Sequence, residues 1–248
     1  MNRRLNPSIH RRCGHEAGSA AVEFAFVALP VMLYAGIAPV TANATATLAW
    51  WPASVSSAIA YRRDIRVATP VLVVFVALSI VGGILGALLL LRTSNARFMR
   101  LLPWLMLFAA LAFTFGDRLV PRDETPTRGT GLVPALLQLA IATYGGYFGG
   151  GMGIMMLATL SIAGLRDIHE MNGLKSILGA AINGVALVEF VANRAVSWAP
   201  GLVMMAGAIA GGYGGAVLAR RIDRRIVRRV VVAIAWIMTA YFFGAPRY

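Results

Sequence analysis

The sequence predicts an all-α, polytopic integral membrane protein built from two related halves, and three observations carry that reading. Of its 248 residues, 58% are hydrophobic and only 13% charged, against roughly a quarter charged in a soluble domain. The apolar residues gather into runs near bilayer-crossing length, with short arginine-bearing connections between them. Four features also recur at a nearly constant spacing of half the chain: Ala35-Gly36 with Ala163-Gly164, Asn43 with Asn172, Gly82-Gly83 with Gly211-Gly212, and Pro70 with Pro200. Internal duplication of this kind is the usual construction of secondary transporters, which bind substrate between the repeats.

Residues 1–18 form a basic, polar segment containing Arg3, Arg4, Arg11 and Arg12. The first apolar run, Ser19–Ala38, contains Glu23 and Pro30. A basic start before an apolar stretch fits a signal peptide. Cleavage near Thr41–Ala46 would, however, start the mature chain inside the next apolar run, so that reading is disfavoured. Eight runs follow: Val40–Tyr61, Thr69–Leu91, Phe98–Phe115, Leu132–Gly149, Gly150–Gly164, Asn172–Ala192, Ala199–Ala219 and Val227–Phe243. The fourth and fifth meet at glycines and form either one broken span or a re-entrant pair, so about 7–8 transmembrane helices are expected. The polar stretch Gly116–Thr130 is the expected linker between a first repeat (19–115) and a second (131–248).

Arginine placement gives an expected orientation. RRIDRRIVRR, Arg220–Arg229, should be cytoplasmic. Counting back with the glycine-divided pair as one span puts Arg92, Arg97 and Arg100 on that same side and the C-terminus outside. It leaves Arg62, Arg63 and Arg66 on the far side, against the rule.

The stretch Tyr144–Met156, YGGYFGGGMGIMM, has six glycines among thirteen residues inside an apolar run. Irregular backbone at membrane depth survives only where protein buries it or where it lines a wet cavity. Gly149, Gly150, Gly151 and Gly153 are therefore candidate substrate-binding residues, their backbone N–H groups and a half-helix N-terminus suiting an anion. The competing reading is tight packing, since Gly145, Gly149 and Gly153 are spaced by four. Lys175 lies one turn into the Asn172 run, where a central lysine costs about 2.5–3.5 kcal/mol to insert. It either attracts an anionic substrate or snorkels to the interface. Asn43, Thr45, Asn172 and Asn183 are uncharged hydrogen-bonders on apolar runs, suited to an oxyanion or to helix–helix contacts. Asn43 and Asn172 are preferred because they occupy equivalent repeat positions. Glu189 and Arg194 are expected to form an ion pair, and Trp50, Trp51, Trp104 and Trp198 to act as interfacial anchors.

Other function classes are disfavoured. The lone Cys13 permits neither an intrachain disulfide nor a cysteine metal cluster, and His10, His15 and His169 form no ligand pair at helical spacing. No metal, cofactor or enzymatic activity is expected. The excess of 23 Lys+Arg over 10 Asp+Glu lies in clusters between apolar runs, as at a lipid surface, so nucleic acid is not an expected partner. The expected partners are a small anion and the lipid bilayer, with a homo-oligomer left open.

The strings VTANATATLAWWPASVSSAIAYRRDI (Val40–Ile65), GGILGALLLLRT (Gly82–Thr93), GGGMGIMMLATL (Gly149–Leu160) and GGYGGAVLARRIDRRIVRR (Gly211–Arg229) resemble the TauE/SafE family of sulfite-exporter-type permeases. The resemblance covers about residues 26–243. It implies a multi-pass bacterial inner-membrane protein that moves small, often sulfur-containing anions, with the Asn172–Lys175 region lining the second half. It also implies a glycine-rich motif before Pro30, where this chain has Val22-Glu23-Phe24-Ala25. Gly18–Leu33 resembles instead the start of TadE-like pseudopilins, with Gly18 ahead of the apolar segment and Glu23 five residues later. A non-transporting relic or fusion, lacking one half-site, is the alternative function that this departure implies.

Overall fold

The computed structural model describes residues 28–119, 131–219 and 224–244. Within them the regular structure is helical: α1 (28–34), α2 (Pro39–Tyr61), α3 (Thr69–Arg92), α4 (Asn95–Leu119), α5 (Leu132–Tyr147), α6 (Met152–Ile162), α7 (Ile168–Ala192), α8 (Trp198–Ala219) and α9 (Arg224–Gly244). These bounds agree with the expected runs to about a turn. The basic N-terminal segment, Glu23 and residues 120–130 of the linker lie outside the described residues.

The internal duplication reappears in the helix boundaries. Helices α2, α3 and α4 start at Pro39, Thr69 and Asn95, and α7, α8 and α9 start at Ile168, Trp198 and Arg224. One fixed interval separates each start from its counterpart. The ends of α1 and α6 also match. Gly36 and Gly164 donate to the carbonyls of Leu33 and Ser161, and Ile37 and Leu165 donate to those of Met32 and Leu160. Both glycines are left-handed, φ +80° and +90°. This is the paired hydrogen bonding by which a left-handed glycine closes a helix C-terminus.

Side-chain contacts fix the helix directions. Helices α2 and α7 are antiparallel: the Ser57 and Ser176 hydroxyls lie 2.8 Å apart, Asn183 Nδ2 donates to Ser54 Oγ at 3.4 Å, and Gly173 packs beside Tyr61. Ser54 and Asn183 are separated by the same interval as the helix starts, so that contact joins equivalent positions of the two repeats. Helices α3 and α5 run parallel, with Gln138 Nε2 donating to Ser79 Oγ at 2.8 Å and Gly86 facing Gly146 and Tyr147. A Cβ on Gly86 would strike the Thr143 carbonyl, so a larger residue there would push the two helices apart.

These directions decide between the two expectations for the glycine-divided pair. Helix α5 enters at the end where α3 begins, because the two are parallel. Helix α6 leads into the N-terminus of α7, and there Glu170 Oε1 accepts the Arg66 N–H at 2.9 Å, beside the α2–α3 connection. The chain therefore enters through α5 and leaves through α6 at one end. It is a re-entrant pair and not a broken span. With 16 and 11 residues the two helices are also short for a crossing.

The expected orientation is corrected accordingly, because a pair that does not cross reverses the parity of every earlier connection. The α2–α3 connection with Arg62, Arg63 and Arg66 lies at the same end as Arg166 and the start of α9. The connection between α3 and α4 lies at the opposite end, where Asn95 Oδ1 accepts the Val40 N–H at 3.1 Å. Arg92 and Arg97 flank that connection. The Ser197 N–H, just ahead of α8, also donates at that end, to Thr45 Oγ1 at 3.0 Å. The re-entrant count thus gathers Arg62, Arg63, Arg66 and Arg166 at the α8–α9 end and leaves Arg92 and Arg97 at the other, exchanging one exception to the positive-inside rule for another.

Six helices, α2–α4 and α7–α9, run between the ends; at 21 to 25 residues each measures about 32–38 Å. Among the described residues, α3, α7 and residues 95–115 of α4 have both the length and the apolarity of a membrane span. Val73, Leu85, Leu89, Val188, Val203 and Ile237 are exposed on the outside, as lipid-facing side chains are. Inside, Phe75, Met156, Leu160, Leu174 and Leu178 form one core around α5–α7. Leu90, Phe98, Leu102, Phe190 and Phe242 form a second. The expected Glu189–Arg194 ion pair is not formed. Arg194 turns into the left-handed position at the end of α7, φ +54°, and the Glu189 carbonyl is capped by Asn193 Nδ2 at 2.8 Å.

The re-entrant arrangement is checked by accessibility. With Cys13 replaced by serine, Arg63→Cys and Arg166→Cys are expected to react with an impermeant maleimide from the same side of the membrane, and Ser94→Cys from the other. Labelling of Arg63→Cys and Arg166→Cys from opposite sides would restore the single broken span.

Candidate functional site

The candidate site is the break between α5 and α6. Helix α5 stops at Tyr147, and the chain passes through Gly149 at φ +84° and Gly151 at φ +77° before α6 begins. Only glycine enters that region without strain. Space imposes the same choice. A Cβ on Gly149 would come within 2.9 Å of the Trp50 ring, and one on Gly151 within 3.2 Å of Ala109 in α4.

The break is bonded asymmetrically. Four of its five carbonyls are occupied, Phe148 O having no partner among the described residues: Asn43 Nδ2 donates to Tyr147 O at 2.9 Å, and the Tyr144 hydroxyl donates to Gly150 O at 2.7 Å. Gly149 O accepts from Met152 N–H at 3.4 Å and Gly151 O from Ile154 N–H at 3.2 Å. The N–H groups of Gly150, Gly151 and Gly153 have no partner among the described residues. Gly150 and Gly151 are themselves buried, and α6 starts without a side-chain cap. A buried donor left unpaired costs about 1–3 kcal/mol, and the first turn of a helix carries positive partial charge.

Lys175 of α7 completes this donor set. Its aliphatic stem lies against Gly153, with Cδ 3.3 Å from where a Cβ would sit. The residue is half-buried, and its ammonium has no hydrogen bond or ion pair among the described residues. From the first half comes Trp50, whose ring lies against Gly149 and whose Nε1 is buried without a partner. Ammonium, indole N–H and backbone N–H all donate and none accepts. Such an arrangement suits a small ligand bearing acceptor oxygens and negative charge.

The structure brings together Asn43, Gly149, Gly150, Gly151, Gly153 and Lys175. It places the other three sequence candidates elsewhere. Thr45 receives the N–H ahead of α8, and Asn183 bonds Ser54 in the α2–α7 seam. Asn172 Nδ2 donates to Ile168 O at 2.8 Å, within its own first turn. Asn43 and Asn172 hold the same position on equivalent helices, yet those helices are antiparallel. Gly173 packs beside Tyr61, and eighteen residues of helix, about 27 Å, separate Tyr61 from Asn43. Equivalence in the repeat therefore places them at opposite ends.

Two residues escaped the sequence reading. Trp50 is not an interfacial anchor: its ring packs inside against Gly149, whereas Trp51, which reaches Gly184, is exposed on the outside. The available signal was spacing, since Trp50 follows Asn43 by seven residues, two helical turns on one face. Tyr144 stands at the head of the glycine stretch itself.

Comparison with known proteins agrees with this architecture. The family described as Sulfite exporter TauE/SafE matches over residues 17–242. The chain belongs to the TauE/SafE family. The match starts at residue 17, so it includes the segment carrying Glu23. A Haemophilus influenzae protein named "Probable membrane transporter protein" is 27% identical over 215 residues, covering 86% of this chain and 84% of that one. Escherichia coli K12 YfcA, with the same description, is 28% identical over 214 residues, covering 86% and 79%. A Sinorhizobium "Probable membrane transporter protein ORF9" is 28% identical over 222 residues, covering 89% and 84%. No solved structure matches. This TauE/SafE chain is accordingly a multi-pass membrane protein of a transporter family.

The conformational demand at the break predicts a selective cost. Gly149→Ala, placing a Cβ at positive φ and against Trp50, is expected to destabilise the protein by about 1–3 kcal/mol. Gly207→Ala, in open space on α8, should leave the thermal midpoint in detergent unchanged. Equal midpoints for both variants would contradict the strained geometry.

Proposed function

We propose that this TauE/SafE protein moves small anions, sulfur-containing or organic, across a bacterial inner membrane, with the α5–α6 break as the binding site. The observation that carries the reading is the donor-only character of the break: free N–H groups at Gly150, Gly151 and Gly153, beside a lysine with no counter-charge among the described residues. An isolated cation in the membrane interior is costly and is retained where it has a function. A bound anion supplies both the missing charge and the missing acceptors.

The duplicated architecture supports transport by alternating access. The break reaches inward from one end only, and the two halves meet along several helix pairs, α3 with α5 and α7, α4 with α9, and α2 with α7, the last carrying the polar contacts Ser54 with Asn183 and Ser57 with Ser176. Rocking one half against the other along these contacts would expose the break to each side in turn. The arginine-rich end, with Arg62, Arg63, Arg66 and the start of α9, is taken as cytoplasmic.

Lys175→Ala is expected to lower sulfite flux into proteoliposomes at least tenfold with normal insertion and folding, while Lys175→Arg, keeping the charge, retains part of it. A Lys175→Ala protein that carries anions at the wild-type rate would refute the site.

A further inference from the structure

We infer that Tyr144 is a positioning residue for the ligand site, its hydroxyl fixing the orientation of the Gly150–Gly151 peptide so that the Gly151 N–H is presented to the bound anion. This rests on the anion-site reading above and adds to it a residue outside the donor set itself.

In a trans peptide the carbonyl and the following N–H point in opposite directions. Whatever holds Gly150 O therefore aims Gly151 N–H. The holder is Tyr144 Oη, at 2.7 Å, one helical turn and a half earlier in the chain. Both residues of that peptide are glycines, and glycine populates both signs of φ readily. A flip of the Gly150–Gly151 unit, outside the hydrogen-bonded turns of α5 and α6, thus meets no side chain of its own residues. Flipped, it would turn a carbonyl oxygen toward the anion in place of an N–H, exchanging attraction for repulsion. The phenolic proton is what biases the peptide toward the donor-out state.

The ring is itself held in place from two sides. It packs edge-on against Phe108 of α4, centroids 5.4 Å apart, and against Phe148 at 6.0 Å. A second carbonyl, Leu105 O of α4, lies 3.5 Å from the hydroxyl. A phenol has one proton to donate, so a bond to Leu105 O would release Gly150 O. The much shorter approach to Gly150 O puts the proton on the break. Helix α4 thereby gains a direct influence on the polarity of the site.

Tyr144→Phe keeps the ring and its two aromatic contacts while removing the proton. With sulfite as the probe, the variant is expected to raise the KM for flux about tenfold with little change in the maximal rate and in the thermal midpoint. Hydrogen–deuterium exchange should rise in the peptide covering Gly149–Gly153 and stay level in α3 and α7. Wild-type KM and exchange in Tyr144→Phe, in a protein whose flux still depends on Lys175, would overturn this inference and leave the anion site standing. Absence of saturable sulfite or sulfonate flux in the wild type would instead remove the anion reading. In that case an unchanged exchange pattern in Tyr144→Phe would overturn the positioning role as well.

Discussion

Backbone that leaves the helical state inside a membrane must find partners for its polar groups, and every other feature of this fold depends on how that constraint is met. At the α5–α6 break it is met on one side only. Asn43, Tyr144 and the first turn of α6 satisfy the carbonyls of Tyr147, Gly149, Gly150 and Gly151, while the N–H groups of Gly150, Gly151 and Gly153 stay unpaired among the described residues. Lys175 adds a full positive charge to the same place. The rest of the fold keeps this polarity in position. Close packing of α3 on α5 through Gly82 and Gly86 fixes where α5 stops. The two left-handed glycines turn the chain back, and α7 brings the lysine against Gly153.

Duplication supplies the frame and then departs from strict symmetry. The helix starts repeat at one interval with no drift, and the Schellman closures of α1 and α6 use corresponding atoms. The donors at the break do not repeat. At the same spacing, Lys175 corresponds to Ala46 and Trp50 to Gly179. The antiparallel α2–α7 pair thus contributes one aromatic and one cation to a single break, each from a different half. Two-fold architecture with one-sided chemistry gives the proposed anion one strong site, and not two equal ones, among the described residues.

Much of this was legible in the sequence. Composition and run length placed the helices to within about a turn, and the glycine stretch marked the break. The insertion cost of a lysine singled out Lys175. What was not legible has a common cause. Direction along the membrane normal is invisible to periodicity, so a glycine-divided run reads equally as one span or as a hairpin. That ambiguity alone misplaced the Arg62–Arg66 and Arg92–Arg100 connections. It also made Asn43 and Asn172 look like partners, although antiparallel helices carry equivalent positions to opposite ends. Trp50 was misassigned for a related reason: an indole suits an interface and a helix-packing slot equally well, and only the facing Gly149 distinguishes them.

The most direct test of the donor-only break is a structure of the protein with an electron-dense oxyanion such as selenite. A density peak is expected about 3 Å from the N–H groups of Gly150, Gly151 or Gly153, within reach of the Lys175 ammonium. A peak at the Asn172 end of α7 or in the Ser54–Asn183 seam, with the break empty at saturating anion, would contradict the donor-only site.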